Sequence, residues 1–254
     1  MKIIINADDF GLSHDVNLAV VEAFKRGFVT NATIMVNMPG FEEGVALSKE
    51  NGFFEKIGLH LNFFEGQPLT ENIKSLPLFY NGKELNSDNM LRTGGVLKKF
   101  LASKQMKVAL FKEAEEQIKK YKSAGFTLGH LDSHEHSHTI FSVFISFKKL
   151  LKKYGFKSIR KSLNLYLNRS FLIKLYKNLY NEILLSGFKK TKYFTSATEF
   201  IEVIESGFKD DNAICEIMVH PVFENGKLAN ANDVDFEELF KFIDEKSLIS
   251  YTDI

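Results

Sequence analysis

The 254-residue sequence predicts an α/β fold with a parallel sheet, either open or closed into a barrel. Two observations support this prediction. Short β-branched and apolar runs alternate with stretches whose apolar residues recur at helical spacing, which is typical of parallel strands connected by helices. Acidic and imidazole side chains also recur where the predicted strands end, and parallel α/β folds build their active sites there.

The first 62 residues predict a β-α-β-α-β order. The predicted elements are strand 2–6, helix 15–26, strand 32–37, helix 41–52 and strand 56–62. Ser13 is placed to cap the first helix, because a serine side chain accepts from the free amides at a helix start. Gly27 is placed to end it, because glycine tolerates the left-handed conformation that follows a helix.

The same alternation resumes after residue 106. Residues 108–121 carry apolar side chains at helical spacing with charges between them, which predicts an amphipathic helix. The remaining predicted elements are strand 126–132, helix 139–154, strand 156–160, strand 213–220, helix 236–246 and strand 247–252.

Two segments interrupt the alternation. Residues 63–106 hold three turn motifs and two prolines, which is typical of an insert that forms a lid or a substrate wall. Residues 162–195 mix basic with aromatic and aliphatic side chains, and a solvated helical face is favoured over RNA contact because the whole chain is nearly neutral. The sequence therefore predicts a single domain over residues 1–254 with inserts at about 63–106 and 162–195.

Charge and composition exclude several classes of function. The chain has 33 basic and 32 acidic residues and a formal charge of +1, so no overall field attracts it to nucleic acid or to a membrane. A small molecule or a neutral glycan is the expected partner. The single Cys215 lies in an apolar run and is expected to be a buried thiol in a reduced compartment. Because the N-terminal apolar run is too short for a signal sequence, we expect a cytoplasmic protein.

The polar residues at the strand ends are expected to converge on one face of the fold. They are Asp8, Asp9, His60, Asp132, His134, Arg160 and His220. Two imidazoles and one carboxylate, with positions left open for water and substrate, form a recurrent catalytic metal site. Asp9, His60 and one histidine of the stretch HLDSHEHSH, residues 130–138, would supply such a set.

Spacing alone does not decide which histidine of this stretch binds a metal. His134, His136 and His138 share one face of an extended chain, whereas His130, His134 and His138 share one face of a helix. His134 is favoured because it comes two residues after Asp132 at the strand exit, and Asp132 could orient a ligand from behind. His136 and His138 are expected to line the cleft or to be exposed. A metal-buffering tract is the alternative for the whole cluster.

The two adjacent acids and the last histidine suggest proton transfer. Asp8 and Asp9 can divide the work, one binding a metal while the other accepts a proton, although one of them could instead cap the next helix. His220 precedes Pro221, which fixes the chain as it leaves the strand, and an imidazole suits proton delivery near neutral pH. A structural role is the alternative for His220.

Four motifs together resemble the YdjC-like carbohydrate deacetylase family, which includes chitooligosaccharide deacetylases. They are NADDFGLS, GLHLN, HLDSHEHSH and MVHP, and their order matches across nearly the whole chain. The resemblance implies a distorted (β/α) barrel of the polysaccharide-deacetylase and glycoside-hydrolase type. It also implies hydrolysis of an N-acetyl group on a sugar, a divalent metal ion and a homodimer. Glu135 departs from the pattern, since family members often carry another histidine there.

The resemblance implies a role for each matching residue. Asp9, His60 and His134 correspond to the metal ligands, Asp8 to the general base and His220 to the general acid. Mg²⁺ is commonly assigned in this family, whereas a site of two histidines and one aspartate suits Zn²⁺ at least as well.

Other readings of the site residues remain open. Arg160 could steer Asp8, bind an anionic group of the substrate or form a surface salt bridge. The substrate could be a chitooligosaccharide, another N-acetylated glycan or a glycolipid precursor. A metal-dependent phosphoesterase or sugar isomerase on a similar barrel is the alternative enzyme, although the sequence has no glycine-rich phosphate cradle. A metal- or glycan-binding module without activity is the other alternative.

Overall fold

The structure is a computed structural model, and it describes residues 1–86 and 101–254. Seven strands form one parallel sheet: β1 (Lys2–Phe10), β2 (Asn31–Ile34), β3 (Ile57–Leu61), β4 (His130–Ser133), β5 (Ser158–Ile159), β6 (Tyr193–Ser196) and β7 (Ile214–Val219). Their order in the sheet is β5-β4-β3-β2-β1-β7-β6. Strands β8 (Pro221–Glu224) and β9 (Lys227–Asn230) form a separate antiparallel hairpin.

Helices connect these strands within the described ranges. They are α1 (His14–Lys25), α2 (Phe41–Glu50), α3 (Glu71–Lys74), α4 (Lys104–Ser123), α5 (Phe141–Lys153), α6 (Phe171–Leu179), α7 (Ala197–Glu205) and α8 (Phe236–Phe240). Shorter 3₁₀ turns span Phe54–Lys56, His134–Thr139, Glu245–Ser247 and Tyr251–Asp253, and a π turn spans Tyr180–Leu184. Ser13 caps α1 as predicted, accepting from Val16 N at 3.3 Å.

The sheet curls so that its two edge strands approach each other. Backbone hydrogen bonds join the chain around β5 to the chain leading into β6: Lys189 N donates to Lys157 O at 2.8 Å, and Asn164 N donates to Phe194 O at 3.1 Å. Buried apolar side chains cover both faces of the strands, as parallel sheets with outer helices require. The predicted distorted (β/α) barrel with parallel strands and outer helices is confirmed.

The strand that carries the acid pair is longer than the sequence predicted. β1 continues through Phe10, so Asp8 and Asp9 lie in the strand and not in a loop after it. The pairing of β1 with β2 is irregular between Ala7 and Phe10, and Asp9 has a left-handed φ of 62°. This bulge lets two neighbouring carboxylates leave the strand in directions that regular alternation would not allow.

The C-terminal elements also differ from the prediction. The helix predicted over 236–246 ends at Phe240, and the strand predicted over 247–252 is replaced by two 3₁₀ turns and a bridge between Leu248 and Ile3. The reason is that β2 pairs with β1 only from Asn6 onward. The edge of β1 that is free for another strand is therefore short and lies beside Ile3. Strand β6 and helix α7 lie in a part of the chain where the sequence analysis predicted neither.

The two predicted inserts contain regular structure. Residues 63–86 fold back on α4, where Glu113 accepts hydrogen bonds from Leu69 N and Thr70 N at 2.9 Å each. The predicted turn RTGG falls at 92–95, outside the described residues. The second insert, 162–195, contains α6. Along 1–86 and 101–254, no helix combines the length and the apolar character needed to cross a membrane.

Candidate active site

A cavity of about 840 Å³ opens at the C-terminal ends of the parallel strands. Its lining includes six of the residues singled out from the sequence: Asp8, Asp9, His60, His134, His136 and His220. These side chains come from β1, β3, the turn after β4 and the chain after β7. Residues separated by as many as 212 positions in the chain therefore meet at one face, as the strand-end argument predicted.

Asp9, His60 and His134 form a cluster with the composition of a metal site. Asp9 Oδ1 lies 3.2 Å from His60 Nε2 and 2.9 Å from His134 Nδ1. One nitrogen or oxygen atom of each residue lies within 4.8 Å of those of the other two. His60 Nε2 is buried, and because its approach to Asp9 Oδ1 lacks hydrogen-bond geometry it has no hydrogen-bond partner among the described residues. A buried, unsatisfied imidazole nitrogen beside a carboxylate and a second imidazole fits a divalent cation.

The local electrostatics show what such a cation would replace. Burial opposes the charged form of His60, yet Asp132 outweighs it and raises the pKa of His60 to about 10. Burial also opposes protonation of His134, but hydrogen bonds to Asp9 and Glu65 raise its pKa to about 9. Burial disfavours the Asp9 carboxylate, and the two imidazoles nevertheless hold its pKa well below the usual range. Without a cation, protons shared among these groups balance the carboxylate charge.

Asp132 lies behind His60 and fixes its orientation. Asp132 Oδ1 is 2.7 Å from His60 Nδ1, which turns Nε2 toward the cavity. Its other oxygen accepts from Thr33 Oγ1 at 2.9 Å and lies 2.8 Å from Arg160 Nη2. This carboxylate–imidazole arrangement is the usual way in which proteins orient a histidine ligand.

Arg160 connects three buried carboxylates beneath the cavity. Its guanidinium forms a two-pronged pair with Asp8, at 2.6 and 2.7 Å, and its Nε donates to Glu216 Oε1 at 2.6 Å. Asp132 accepts from the same group, and the ring of Phe194 lies 4.7 Å away. Arg160 is 0% exposed, so the surface salt bridge considered from the sequence is wrong.

Arg160 also lies outside the residues that line the cavity, so it does not contact an anionic substituent of a ligand there. The position of Arg160 fits the remaining hypothesis from the sequence, in which Arg160 orients Asp8. Burial opposes ionisation of Asp8, but the Arg160 guanidinium holds the pKa of that carboxyl well below its usual range. Asp8 is consequently ionised at neutral pH, with its orientation fixed by two hydrogen bonds.

The stretch HLDSHEHSH is neither an extended strand nor a regular helix after residue 133. Glu135 and His136 have left-handed φ angles of 51° and 50°, so successive side chains turn in different directions. His134 faces Asp9, and His136 lines the cavity with its ring centre 5.7 Å from that of Phe194 and the two rings nearly perpendicular. Burial lowers the pKa of His136 to about 3, with Arg160 adding to the effect. The neutral His136 can only act as a hydrogen-bonding group.

The outer two histidines of the stretch lie away from the cavity. His138 is fully buried, 2.6 Å from Ser133 Oγ through Nδ1 and 3.1 Å from the Arg160 carbonyl oxygen through Nε2. The expectation that His138 lines the cleft or is exposed is therefore wrong. His130 stacks on Tyr251 with 3.6 Å between ring centres. Both side chains are buried behind β4 and pack inside the barrel.

His220 lies across the cavity from the metal cluster and close to Asp8. Its Nε2 is 4.0 Å from Asp8 Oδ2, and its side chain is 36% exposed. The backbone is held on both sides, since His220 N donates to Asn230 Oδ1 at 2.8 Å and its carbonyl accepts from Ala231 N at 2.9 Å. A half-exposed imidazole beside a buried carboxylate can exchange protons with a bound molecule.

Two acids at this site were not predicted from the sequence. Glu65 Oε2 lies 3.1 Å from His134 Nε2, and the Asn62 side chain holds the turn by accepting from Glu65 N at 3.1 Å. The signal for Glu65 was weak, because it lies in a loop after the His60 strand. Glu216 is fully buried in β7, and a charged residue in the apolar run AICEIMV was a usable signal.

The site motifs and the fold agree with comparisons to known proteins. A family model described as YdjC-like protein matches residues 2–247. The chain belongs to this YdjC-like family. The resemblance found in the four sequence motifs is thereby confirmed.

Relatives of this YdjC-like chain are carbohydrate deacetylases by name. One from Clostridium beijerinckii is 30% identical over the full length of both chains. Another, from Halalkalibacterium halodurans, is 33% identical over 88% of this chain and 86% of its own. A solved structure from Enterococcus faecalis V583, described as a proposed cellobiose-phosphate cleavage protein, has a TM-score of 0.72 and covers 99% of this chain at 20% identity. That structural similarity shows the fold alone.

Proposed function

We propose that this protein is a metal-dependent hydrolase that removes the N-acetyl group from an acetylated sugar, giving acetate and an amino sugar. The observation that supports this most strongly is one cavity in which Asp9, His60 and His134 form a metal-type cluster beside Asp8 and His220. The relatives named carbohydrate deacetylase support the same reaction.

The ligand set fits a divalent cation by composition. Asp9, His60 and His134 would hold the ion, while Asp132 orients His60 and Glu65 lies against His134. When bound there, a divalent ion supplies Lewis-acid polarisation of an amide carbonyl and lowers the pKa of water. Two imidazoles and one carboxylate suit Zn²⁺, and the family resemblance favours Mg²⁺.

The protein's own side chains supply the proton transfers. Asp8 is ionised and fixed by Arg160, so it accepts the proton of the water that attacks the acetyl carbon. His220, 4.0 Å from Asp8, donates a proton to the amine nitrogen as the C–N bond breaks. In this scheme Arg160 is a positioning residue. His136 stays neutral and offers a hydrogen bond to the bound sugar.

The cavity suits a small neutral glycan. Its volume of about 840 Å³ is within the range of small-molecule sites. Five carboxylate residues line it: Asp8, Asp9, Glu135, Glu199 and Asp233. A chitooligosaccharide or a related N-acetylated glycan carries no negative charge and is compatible with that lining.

The alternative enzyme reactions fit less well. Among the described residues, Arg169 is the only arginine or lysine in the cavity lining, and it lies 2.8 Å from Glu199. A phosphorylated substrate would therefore face several acids with little cationic compensation. A non-catalytic binding module would have no use for an ionised Asp8 held beside His220. Both alternatives remain outcomes of the test.

Acetate release tests the proposal. The purified protein is incubated with N-acetylglucosamine, its dimer and its trimer, with and without EDTA, and acetate is measured. The expected result is release that EDTA abolishes and that added Zn²⁺ or Mg²⁺ restores. If a metal-loaded protein releases no acetate from any N-acetylated sugar, the deacetylase proposal fails. Phosphate release from sugar phosphates would favour the phosphoesterase.

A further inference from the structure

An unusual concentration of exposed apolar side chains lies on and beside helix α6. Along the described chain, twelve large apolar side chains are exposed, and eight of them fall between positions 167 and 183. We define the α6 surface as seven of these: Phe171, Leu172, Ile173, Leu175, Tyr176, Leu179 and Ile183. Phe171 is 75% exposed and Leu172 is 73% exposed. Patches of this kind on a folded protein mark a contact with another molecule or with a membrane.

Helix α6 exposes its apolar side chains and partly covers its lysines, whereas an ordinary surface helix does the opposite. No residue of α6 is buried, and its two lysines are better covered than its leucines. Lys174 and Lys177 lie over the Tyr166 ring at 5.7 and 5.4 Å from its centre. The apolar side chains of α6 are exposed, from 39% at Tyr176 to 75% at Phe171. The solvated helical face expected in this segment is present as an exposed helix, and most of its exposed side chains are apolar.

The segment around the α6 surface is strongly basic, although the chain as a whole is nearly neutral. Residues 161–192 contain seven lysines and arginines and a single acid, Glu182, whereas the whole chain has a charge of +1. Lys174, Lys177 and Lys189 form no ion pair with any residue in the described part of the chain. Apolar side chains flanked by lysines that pair with no acid are typical of a helix that lies in the headgroup region of an anionic bilayer.

The charge argues against a second copy of the chain as the partner. A two-fold interface brings the same patch of two subunits together, so the basic segment of one would face the basic segment of the other. Like charges at such an interface oppose association. An anionic bilayer takes up the apolar residues and compensates the lysines at the same time, because lysine side chains can extend their charges to the headgroups.

The α6 surface lies next to the mouth of the candidate active site. Arg169, two residues before Phe171, lines the cavity and is paired with Glu199 at 2.8 Å. The Tyr166 ring lies between Arg169 and the two lysines of α6, within 5.7 Å of each. A bilayer in contact with α6 would therefore lie beside the entrance through which a substrate reaches Asp9, His60 and His134.

We propose that the α6 surface docks this protein on an anionic lipid bilayer and that the cavity receives an N-acetylated sugar attached to a lipid. The docking follows from the exposed apolar residues, the lysines that pair with no described acid and their position at the cavity mouth. The substrate class also rests on the proposed deacetylase function. The helix lies on the bilayer surface and does not cross it.

Vesicle co-sedimentation tests the docking without any need for turnover. The full chain is mixed with vesicles of phosphatidylcholine, or of phosphatidylcholine with about 30% phosphatidylglycerol, at about 0.05 M and about 0.5 M salt. We expect binding to the anionic vesicles at low salt and at least about tenfold weaker binding at high salt. Absence of binding to anionic vesicles at low salt would overturn the proposal.

Matched substitutions separate the apolar and basic contributions. Phe171→Ser with Leu172→Ser should weaken vesicle binding by at least about tenfold, and Val108→Ser, an exposed valine on α4, should leave it unchanged. Lys174→Gln with Lys177→Gln should weaken it about tenfold, and Lys246→Gln should not. Thermal melting checks that each variant folds. Sedimentation velocity showing a dimer that the Phe171→Ser, Leu172→Ser variant dissociates would identify a subunit interface instead and overturn the proposal.

Activity measurements distinguish failure of this proposal from failure of the proposed function. The Phe171→Ser, Leu172→Ser variant should release acetate from water-soluble N-acetylglucosamine oligomers at the wild-type rate. On an N-acetylglucosaminyl lipid in anionic vesicles, its rate should fall at least about tenfold. Equal rates for both proteins on the lipid would contradict the substrate class. If neither substrate yields acetate, the deacetylase function and the lipid-linked substrate class both fail, and vesicle binding still decides the docking.

Discussion

Two regions of this molecule reverse the usual distribution of polar and apolar groups. Beneath the cavity, Arg160, Asp8, Asp132 and Glu216 bury charges almost completely. On α6, large apolar side chains are exposed while lysines are partly covered. The buried charges are compensated by one another within the fold, whereas the apolar groups of α6 remain largely exposed. The first region is complete within the folded chain, and the second is the surface that we propose docks on a bilayer.

The difference shows how each region relates to function. Buried ion pairs cost desolvation energy, so their presence under the site is explained by the fixed orientation that they give Asp8 and Asp132. The burial of Glu216 raises its pKa to about 7 despite the neighbouring Arg160, which shows how strongly the environment opposes charge there. Within residues 1–86 and 101–254, the α6 surface takes part in no comparable network of ion pairs. Its exposed apolar side chains are instead available for the bilayer contact that we propose.

Removing the central cation should have the largest effect. Arg160→Met leaves three buried carboxylates without their counter-charge, so the free energy of unfolding should fall by about 3–5 kcal/mol in urea titrations at pH 7. The matched control is Arg26→Met, which removes the exposed pair with Glu22 on α1 and should cost less than about 1 kcal/mol. Equal losses in the two variants would mean that the buried network contributes no more than a surface pair.

Replacement of a predicted ligand should separate His134 from its neighbour His136. His134→Ala should weaken binding of Zn²⁺ at least about 100-fold, because it removes one of three ligand side chains. His136→Ala should leave metal binding unchanged, since that imidazole faces the cavity and not the cluster. Elemental analysis after dialysis measures both. Full occupancy in His134→Ala together with an empty site in His136→Ala would reverse the assignment.

The role of His220 predicts a dependence on the leaving group. His220→Asn should lower the turnover of N-acetyl sugars about 100-fold, because the departing amine then lacks its proton donor. Metal content should remain at the wild-type level, and hydrolysis of p-nitrophenyl acetate should fall much less, since its leaving group departs without protonation. A similar loss on both substrates would assign His220 a role other than proton donor.

A further prediction concerns the pH dependence of metal affinity. In the metal-free protein the pKa values of His134 and His60 are raised to about 9 and about 10, so both imidazoles are protonated at pH 7. A cation must displace these protons, and its apparent affinity should rise as pH increases, by about tenfold per pH unit for each proton displaced. Isothermal titration in buffers of different ionisation enthalpy measures both quantities. Affinity that is constant between about pH 6 and 8 would contradict the assignment.

Much of the fold could be predicted because local patterns determine it. The strands around β1, β2 and β3 and the helices between them follow from apolar periodicity and from caps such as Ser13. The predicted C-terminal strand over 247–252 could not be judged locally. The apolar residues of this segment predict a strand, but in the sheet the segment forms only one bridge, between Leu248 and Ile3. Sheet membership depends on which edge is free, and that is a property of the whole barrel.

The sequence by itself determined which residues meet at the site. Asp8, Asp9, His60 and His220 each lie at the end of a strand pattern, and the carboxyl ends of parallel strands converge at one face. The tertiary structure decided which histidine of HLDSHEHSH joins them, because the left-handed φ angles at Glu135 and His136 separate the directions of His134, His136 and His138.

Only the tertiary structure decided the burial of Arg160 and the exposure of α6. Both depend on contacts between segments distant in the chain. Arg160 reaches Asp8 across 152 positions, and it is buried because the curled sheet encloses that pair. The leucines of α6 are exposed because the structure turns Lys174 and Lys177 toward Tyr166. Apolar periodicity identifies a helical face, but it does not tell whether that face meets the core, solvent or another molecule.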